Sequence, residues 1–140
     1  MLTDDIQRIV QTLRRQNLPA PLIKNHIKEY LQLHVLDFIY NSPVGKSFLF
    51  TGGSCLRICY GLNRLSEDID FDLTRDIELK TVAQNLFEHF SKKLQYKGLE
   101  FAVKGKHKKI YLKFPILHSL ELADANDSNK LYVKIGSSPK

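Results

Sequence analysis

The stretch Asp-Ile-Asp-Phe-Asp-Leu at positions 68–73 alternates acidic with apolar side chains. Successive side chains of a strand point to opposite faces, so this pattern predicts a strand with one buried face and one face that carries Asp68, Asp70 and Asp72. Carboxylates two residues apart lie about 6.6 Å from each other along a strand, and their repulsion must be offset. Solvent on an exposed face and a bound divalent metal ion are the two interpretations.

The rest of the chain predicts helices before this strand, and a helix and further strands after it. Apolar residues at helical spacing predict a helix that begins at Thr3 and ends before the prolines of 17–21, and a second over 22–40. Asp76 is the expected cap of a helix over 77–96. Strands are predicted over 47–50, 99–103, 110–114 and 131–135, with a hairpin turn over 104–109, a polar connection over 118–130 and a frayed tail over 136–140. This order predicts an α+β fold with a mixed sheet and N-terminal helices packed on it.

A chain of 140 residues suits a single domain, here with a helical part over 1–45 and a sheet part over 46–136. No apolar run approaches the roughly 20 residues of a membrane helix, and no secretory signal begins the chain, so we expect a cytoplasmic protein with no membrane partner. The net charge of +6 favours contact with nucleic acid or nucleotide phosphates.

Two glycine-containing segments invite a phosphate-binding interpretation. Gly45-Lys46-Ser47 is not a P-loop, because Tyr40 stands where that loop needs a glycine and a strand follows. The segment 52–54, Gly-Gly-Ser, follows the strand and opens a short helix that ends at Gly61. Backbone N–H groups at such a helix start bind phosphate, and glycines allow close approach.

The segment 52–73 resembles a known family. Its Gly-Gly-Ser, followed by Arg-x-Ser-x-Asp-x-Asp at 64–70, resembles the nucleotidyltransferase superfamily that shares its palm domain with DNA polymerase beta. More closely, it is similar to the AbiEii/AbiGii toxin nucleotidyltransferases of abortive-infection and type IV toxin–antitoxin systems. The matching positions are Gly52, Gly53, Ser54, Leu56, Arg57, Tyr60, Gly61, Arg64, Ser66, Asp68, Ile69, Asp70 and Phe71.

The resemblance implies a reaction and the residues that carry it. Nucleoside monophosphate would pass from a nucleoside triphosphate to an RNA, such as tRNA, or to a protein acceptor, with Mg²⁺ or Mn²⁺ on Asp68 and Asp70. An antitoxin protein is the implied partner. Lys134, in the family's second motif, is the remaining catalytic candidate. The nucleotide-binding candidates are Gly52, Gly53, Ser54, Ser66 and Arg57, and for Arg57 a structural salt bridge is an equal alternative.

The sequence departs from the family pattern after Lys134. Gly136 stands where the family has a third acid, and Glu121, Asp124 and Asp127 are the acids left to replace it. The family's helical C-terminal region, with a further lysine and acid, does not follow. A nucleotide-, RNA- or antitoxin-binding protein without catalysis is therefore the alternative function.

Two further groups of residues have open interpretations. The hairpin turn carries Lys104, Lys106, His107, Lys108 and Lys109, which either follow an RNA backbone, with Lys92, Lys93 and Lys97, or form a solvated tip. Cys55 and Cys59 are four residues apart, with no further zinc ligand at suitable spacing, and are expected to be buried structural thiols.

Overall fold

The computed structural model describes residues 1–61, 68–123 and 128–140. Two long helices come first, and a strand–helix–strand unit, a third long helix and three strands follow. The helices are α1 (Leu2–Arg15), α2 (Ala20–Tyr40), α3 (Gly52–Tyr60) and α4 (Leu79–Glu88), and the strands are β1 (Phe48–Thr51), β2 (Asp68–Leu73), β3 (Glu100–Lys104), β4 (Lys109–Pro115) and β5 (Lys130–Pro139).

The five strands form one mixed sheet in the order β1-β2-β5-β4-β3. Only the central β2–β5 pair is parallel among these neighbours, and the other three pairs are antiparallel. The predicted α+β class with a mixed sheet is confirmed. Because β5 enters between β2 and β4, residues that are far apart in sequence lie side by side across the middle of the sheet.

Helices cover one face of the sheet. α2 contacts β5, and α4 contacts β3 and β4. On the buried face of β2, Phe71 is 1% exposed. Its ring centroid lies 5.2 Å from that of Phe48 and 5.6 Å from that of Phe50. Burying one such side chain contributes about 1.5–3 kcal/mol. In the described ranges, no helix is long and apolar enough to cross a bilayer.

Two predicted boundaries are wrong for local reasons. α4 begins at Leu79 with Glu78, not Asp76, at its N-cap, and it ends at Glu88, followed by a π-helical turn, His89–Lys93. The Thr81 hydroxyl donates a hydrogen bond of 2.8 Å to the Glu78 carboxylate, which favours the later start. The predicted helix over 77–96 was therefore too long at both ends.

The predicted frayed tail is also wrong. β5 continues to Pro139, and its residues Gly136–Pro139 pair with β2. The Ser137 N–H donates to the Lys108 carbonyl at 2.9 Å, and the Lys140 N–H donates to the Leu73 carbonyl at 3.0 Å. Main-chain hydrogen bonds to β2 and to the hairpin turn therefore order the tail, although its side chains show no strand pattern.

Candidate active site

The start of α3 lies against the acid strand. Thr51, the last residue of β1, is opposite Asp70 in the antiparallel β1–β2 pair, and Gly52 then opens α3. Gly52 has φ +79°, and a Cβ at this position would lie 3.0 Å from Oδ2 of Asp70. The left-handed backbone conformation favours glycine, and the close approach leaves little room for a side chain. The glycine turn and the acids, which the sequence predicted separately, are therefore in contact.

Ser54 joins these two elements. Its side chain is buried, and its hydroxyl donates a hydrogen bond to the backbone carbonyl of Asp68. The hydroxyl thus fixes α3 against the first residue of β2 instead of facing solvent. Its backbone N–H, together with those of Gly52 and Gly53, belongs to the first turn of α3, where N–H groups have no acceptor within the helix. These are the donors that the glycine turn offers to a phosphate.

Asp68 and Asp70 form an exposed carboxylate pair on the face of β2 opposite the buried Ile69 and Phe71. Burial, and then the negative charge of Asp68, raise the pKa of Asp70, while Lys109 acts in the opposite direction. Within residues 1–61, 68–123 and 128–140, neither acid forms a salt bridge. Two neighbouring carboxylates without a salt-bridge partner in that part of the chain suit a divalent cation that also takes phosphate and water oxygens.

Gly136 lies directly beside Asp70 in the parallel β2–β5 pair. A Cβ on Gly136 would lie 2.6 Å from Oδ1 of Asp70, so the carboxylate occupies the space where a side chain at 136 would begin. Among the alternative acids, Glu121 lies beside α1, where its carbonyl accepts a 3.2 Å hydrogen bond from Arg14. Asp124 and Asp127 lie outside the described residues. In the part of the chain described, no three potential metal ligands cluster.

Lysines from the two neighbouring strands share the face of the acids. Lys134 of β5 pairs with Asp68 of β2. Lys109 of β4 pairs with Gly136 of β5, which is the neighbour of Asp70. The ammonium group of Lys134 lies 6.0 Å from the ring centroid of Tyr111, over which Lys104 also lies at 5.4 Å. The sequence indicated Lys134. It named Lys109 only as a possible RNA contact of the hairpin turn and did not name Tyr111, although both alternate with the buried Ile110 and Leu112.

Arg57 forms a salt bridge with α2. Its Nε donates to the Glu29 carboxylate of α2 at 3.2 Å, which is the structural salt bridge that the sequence left open. Ser66, the remaining predicted nucleotide contact, lies outside the described residues. The prediction of two buried thiols is wrong, because Cys55 is half-buried and Cys59 is exposed where α3 faces solvent.

The α+β domain with an acid pair beside a glycine-opened helix fits the class of nucleotidyltransferase-type domains, as the resemblance of 52–73 implied. The family model described as "Nucleotidyl transferase AbiEii toxin, Type IV TA system" matches residues 35–138, and the chain belongs to this family. The match begins within α2 and ends within β5, so it includes every predicted site residue. No curated protein matches the chain.

Proposed function

We propose that the protein is a Mg²⁺-dependent nucleotidyltransferase that transfers a nucleoside monophosphate from a nucleoside triphosphate to an RNA or protein acceptor. The observation that carries the proposal is the contact between the two halves of the site. The position of a Cβ on Gly52 is only 3.0 Å from a carboxylate oxygen of Asp70. A phosphate held at the start of α3 is therefore within reach of a cation held by β2.

Each part of the site has a role in this proposal. Asp68 and Asp70 hold Mg²⁺ or Mn²⁺, which supplies charge neutralisation and orients phosphate oxygens. The first-turn N–H groups of α3 hold the triphosphate, and Ser54 keeps that turn on β2. Lys134 and Lys109 stabilise negative charge on the phosphates from the β5–β4 side. These roles are positioning and electrostatic, as expected for phosphoryl transfer.

The transfer balances with the nucleotide, the acceptor hydroxyl and a water molecule that takes the proton. An acceptor hydroxyl oxygen bonds to the α-phosphorus, the bond between that phosphorus and the bridging oxygen breaks, and pyrophosphate leaves. The hydroxyl proton passes to water. The proposal places the protein in the cytoplasm, where nucleoside triphosphates are abundant, and gives it an antitoxin protein as partner in a type IV toxin–antitoxin system.

Nucleotide binding is the first test. Calorimetric titration of each nucleoside triphosphate is expected to show binding that needs Mg²⁺ and weakens at least tenfold in the Asp68→Asn/Asp70→Asn variant. Asp72→Asn is the matched control, because Asp72 lies on the same face of the same strand but outside the pair. Its affinity is expected to stay within threefold of the unmodified protein. Equal affinities in all three proteins would contradict the proposal.

A specific observation favours a second candidate function, in which the protein binds nucleotide, RNA or antitoxin without transfer. Gly136 occupies the position of the family's third acid, and Asp70 fills the space above it. Incubation with α-³²P-labelled triphosphates, Mg²⁺ and total RNA separates the two functions. Labelled RNA or labelled protein supports transfer. Absence of label, together with retained Mg²⁺-dependent binding, supports the second candidate.

A further inference from the structure

A cavity of about 780 Å³ lies on the opposite side of the sheet from the acid pair. Leu73 and Ser137 line the cavity. Each lies two residues along its strand from a buried residue, Phe71 or Ile135, and therefore faces the same side of the sheet. The segment between β2 and α4 forms one wall, and the β3–β4 hairpin turn forms the other. The cavity is thus separate from the face that carries Asp68 and Asp70.

The cavity is strongly cationic. Its two acidic side chains, Asp76 and Glu78, are outnumbered by five basic side chains. These are Arg75, Lys80, Lys106, Lys108 and Lys140. They come from both walls and from the residue that follows β5. The Arg75 guanidinium is held in place, because its Nε donates to the Ser47 hydroxyl at 2.8 Å.

The hairpin wall has an unfavourable backbone conformation. Lys106 and His107 have φ values of +58° and +65°, directly after Gly105 at +64°. A left-handed conformation costs a side-chain-bearing residue roughly 1–2 kcal/mol, and glycine or asparagine would be better suited. The chain instead places an ammonium group and an imidazole ring at this tip, beside the cavity. The half-buried apolar side chains of Leu73 and Ile77 also line the cavity and offer surface to sugars and bases.

We infer that this cavity binds the phosphodiester backbone of a single-stranded nucleic acid, with its cations on the phosphates and His107 against a base. Cations on both walls fit an extended polyanion, and the ring and apolar surface fit its bases. The inference goes beyond the proposed function, because binding here needs neither Mg²⁺ nor the acid pair.

The test measures binding of fluorescent single-stranded 12-mers of RNA and of DNA, without Mg²⁺ or nucleotide, over a range of salt concentrations. Lys106→Gln/Lys108→Gln is expected to weaken binding at least tenfold and to reduce the slope of log affinity against log salt by about 1.4. Lys92→Gln/Lys93→Gln removes the same charge at another exposed site and is expected to change affinity less than threefold. Preference for RNA identifies the natural strand, while equal binding of RNA and DNA leaves backbone recognition intact.

A second variant guards against misfolding. Lys106→Asn/His107→Gly gives the turn residues that tolerate its left-handed backbone, so it is expected to raise the melting temperature while it weakens binding. Asp68→Asn/Asp70→Asn is expected to bind the strand at least as tightly as the unmodified protein, whatever its nucleotide binding. Three results would overturn the inference: no binding at low salt, equal weakening by both lysine pairs, or equally tight binding of tripolyphosphate or polyglutamate.

Discussion

Replacing Gly136 with alanine tests how the site positions Asp70. The new Cβ would lie 2.6 Å from Oδ1 of Asp70, whereas an ordinary van der Waals contact begins at 3.4 Å, so this oxygen must move by about 0.8 Å. On its other side the carboxylate already approaches Gly52, where Oδ2 lies 3.0 Å from the Cβ position. The carboxylate therefore has to rotate away from the orientation that faces the start of α3.

The fold should tolerate this change. Alanine is favoured over glycine within a strand by roughly 0.5–1 kcal/mol, which offsets a strained Asp70 rotamer of about 0.5–1.5 kcal/mol. Site function is more sensitive, because a displacement of about 1 Å in a binding group costs up to 100-fold. We expect Mg²⁺-dependent nucleotide affinity to fall at least tenfold, with a melting temperature within about 3 °C of the unmodified protein.

Calorimetric titration and thermal unfolding by circular dichroism check both expectations. Ser138→Ala is the matched control, because Ser138 lies two residues along the same face of β5, opposite Asp72. It should leave affinity unchanged. The reasoning is refuted if Gly136→Ala binds nucleotide as tightly as Ser138→Ala, or if Gly136→Ala unfolds the protein.

Three further predictions concern stability, each measured by urea or thermal unfolding. Burial, and then the charge of Asp68, raise the pKa of Asp70 in the folded protein, so metal-free stability falls as pH rises through that pKa. Asp70→Asn should remove this penalty and stabilise the protein at pH 7 by less than about 1 kcal/mol, because Asp70 is exposed, and the difference should shrink toward acid pH. A lower stability of that variant at pH 7 would contradict a net penalty from burial and the Asp68 charge. Ser54→Ala should lower the free energy of unfolding by about 1–2 kcal/mol, because the Asp68 carbonyl loses its buried hydroxyl donor. An unchanged free energy would show that this hydrogen bond does not stabilise the packing of α3 on β2. Phe71→Ala should cost about 3–5 kcal/mol, since the ring is fully packed beneath the acids, and a loss below 1 kcal/mol would argue against that packing.

The sequence pattern was sufficient to predict those elements in which the environment of each side chain follows from its neighbours in sequence. The alternation of 68–73 predicted β2 with its bounds, because period two is a property of any strand with one buried face. The glycine pair predicted the start of α3, and Gly61 its end, since left-handed backbone at such positions favours glycine. The family resemblance came from the same segment and agrees with the match over 35–138.

Tertiary structure decided what depends on strand order. The insertion of β5 between β2 and β4 brings Gly136 beside Asp70 and Lys109 into the same row, which no spacing in the sequence indicates. It also orders the tail, whose hydrogen bonds come from β2 and the hairpin. The sequence by itself determined which residues alternate and where the glycines fall. Only the folded sheet determined that the Asp70 carboxylate lies between two glycines, because that placement depends on backbones brought together from three separate segments.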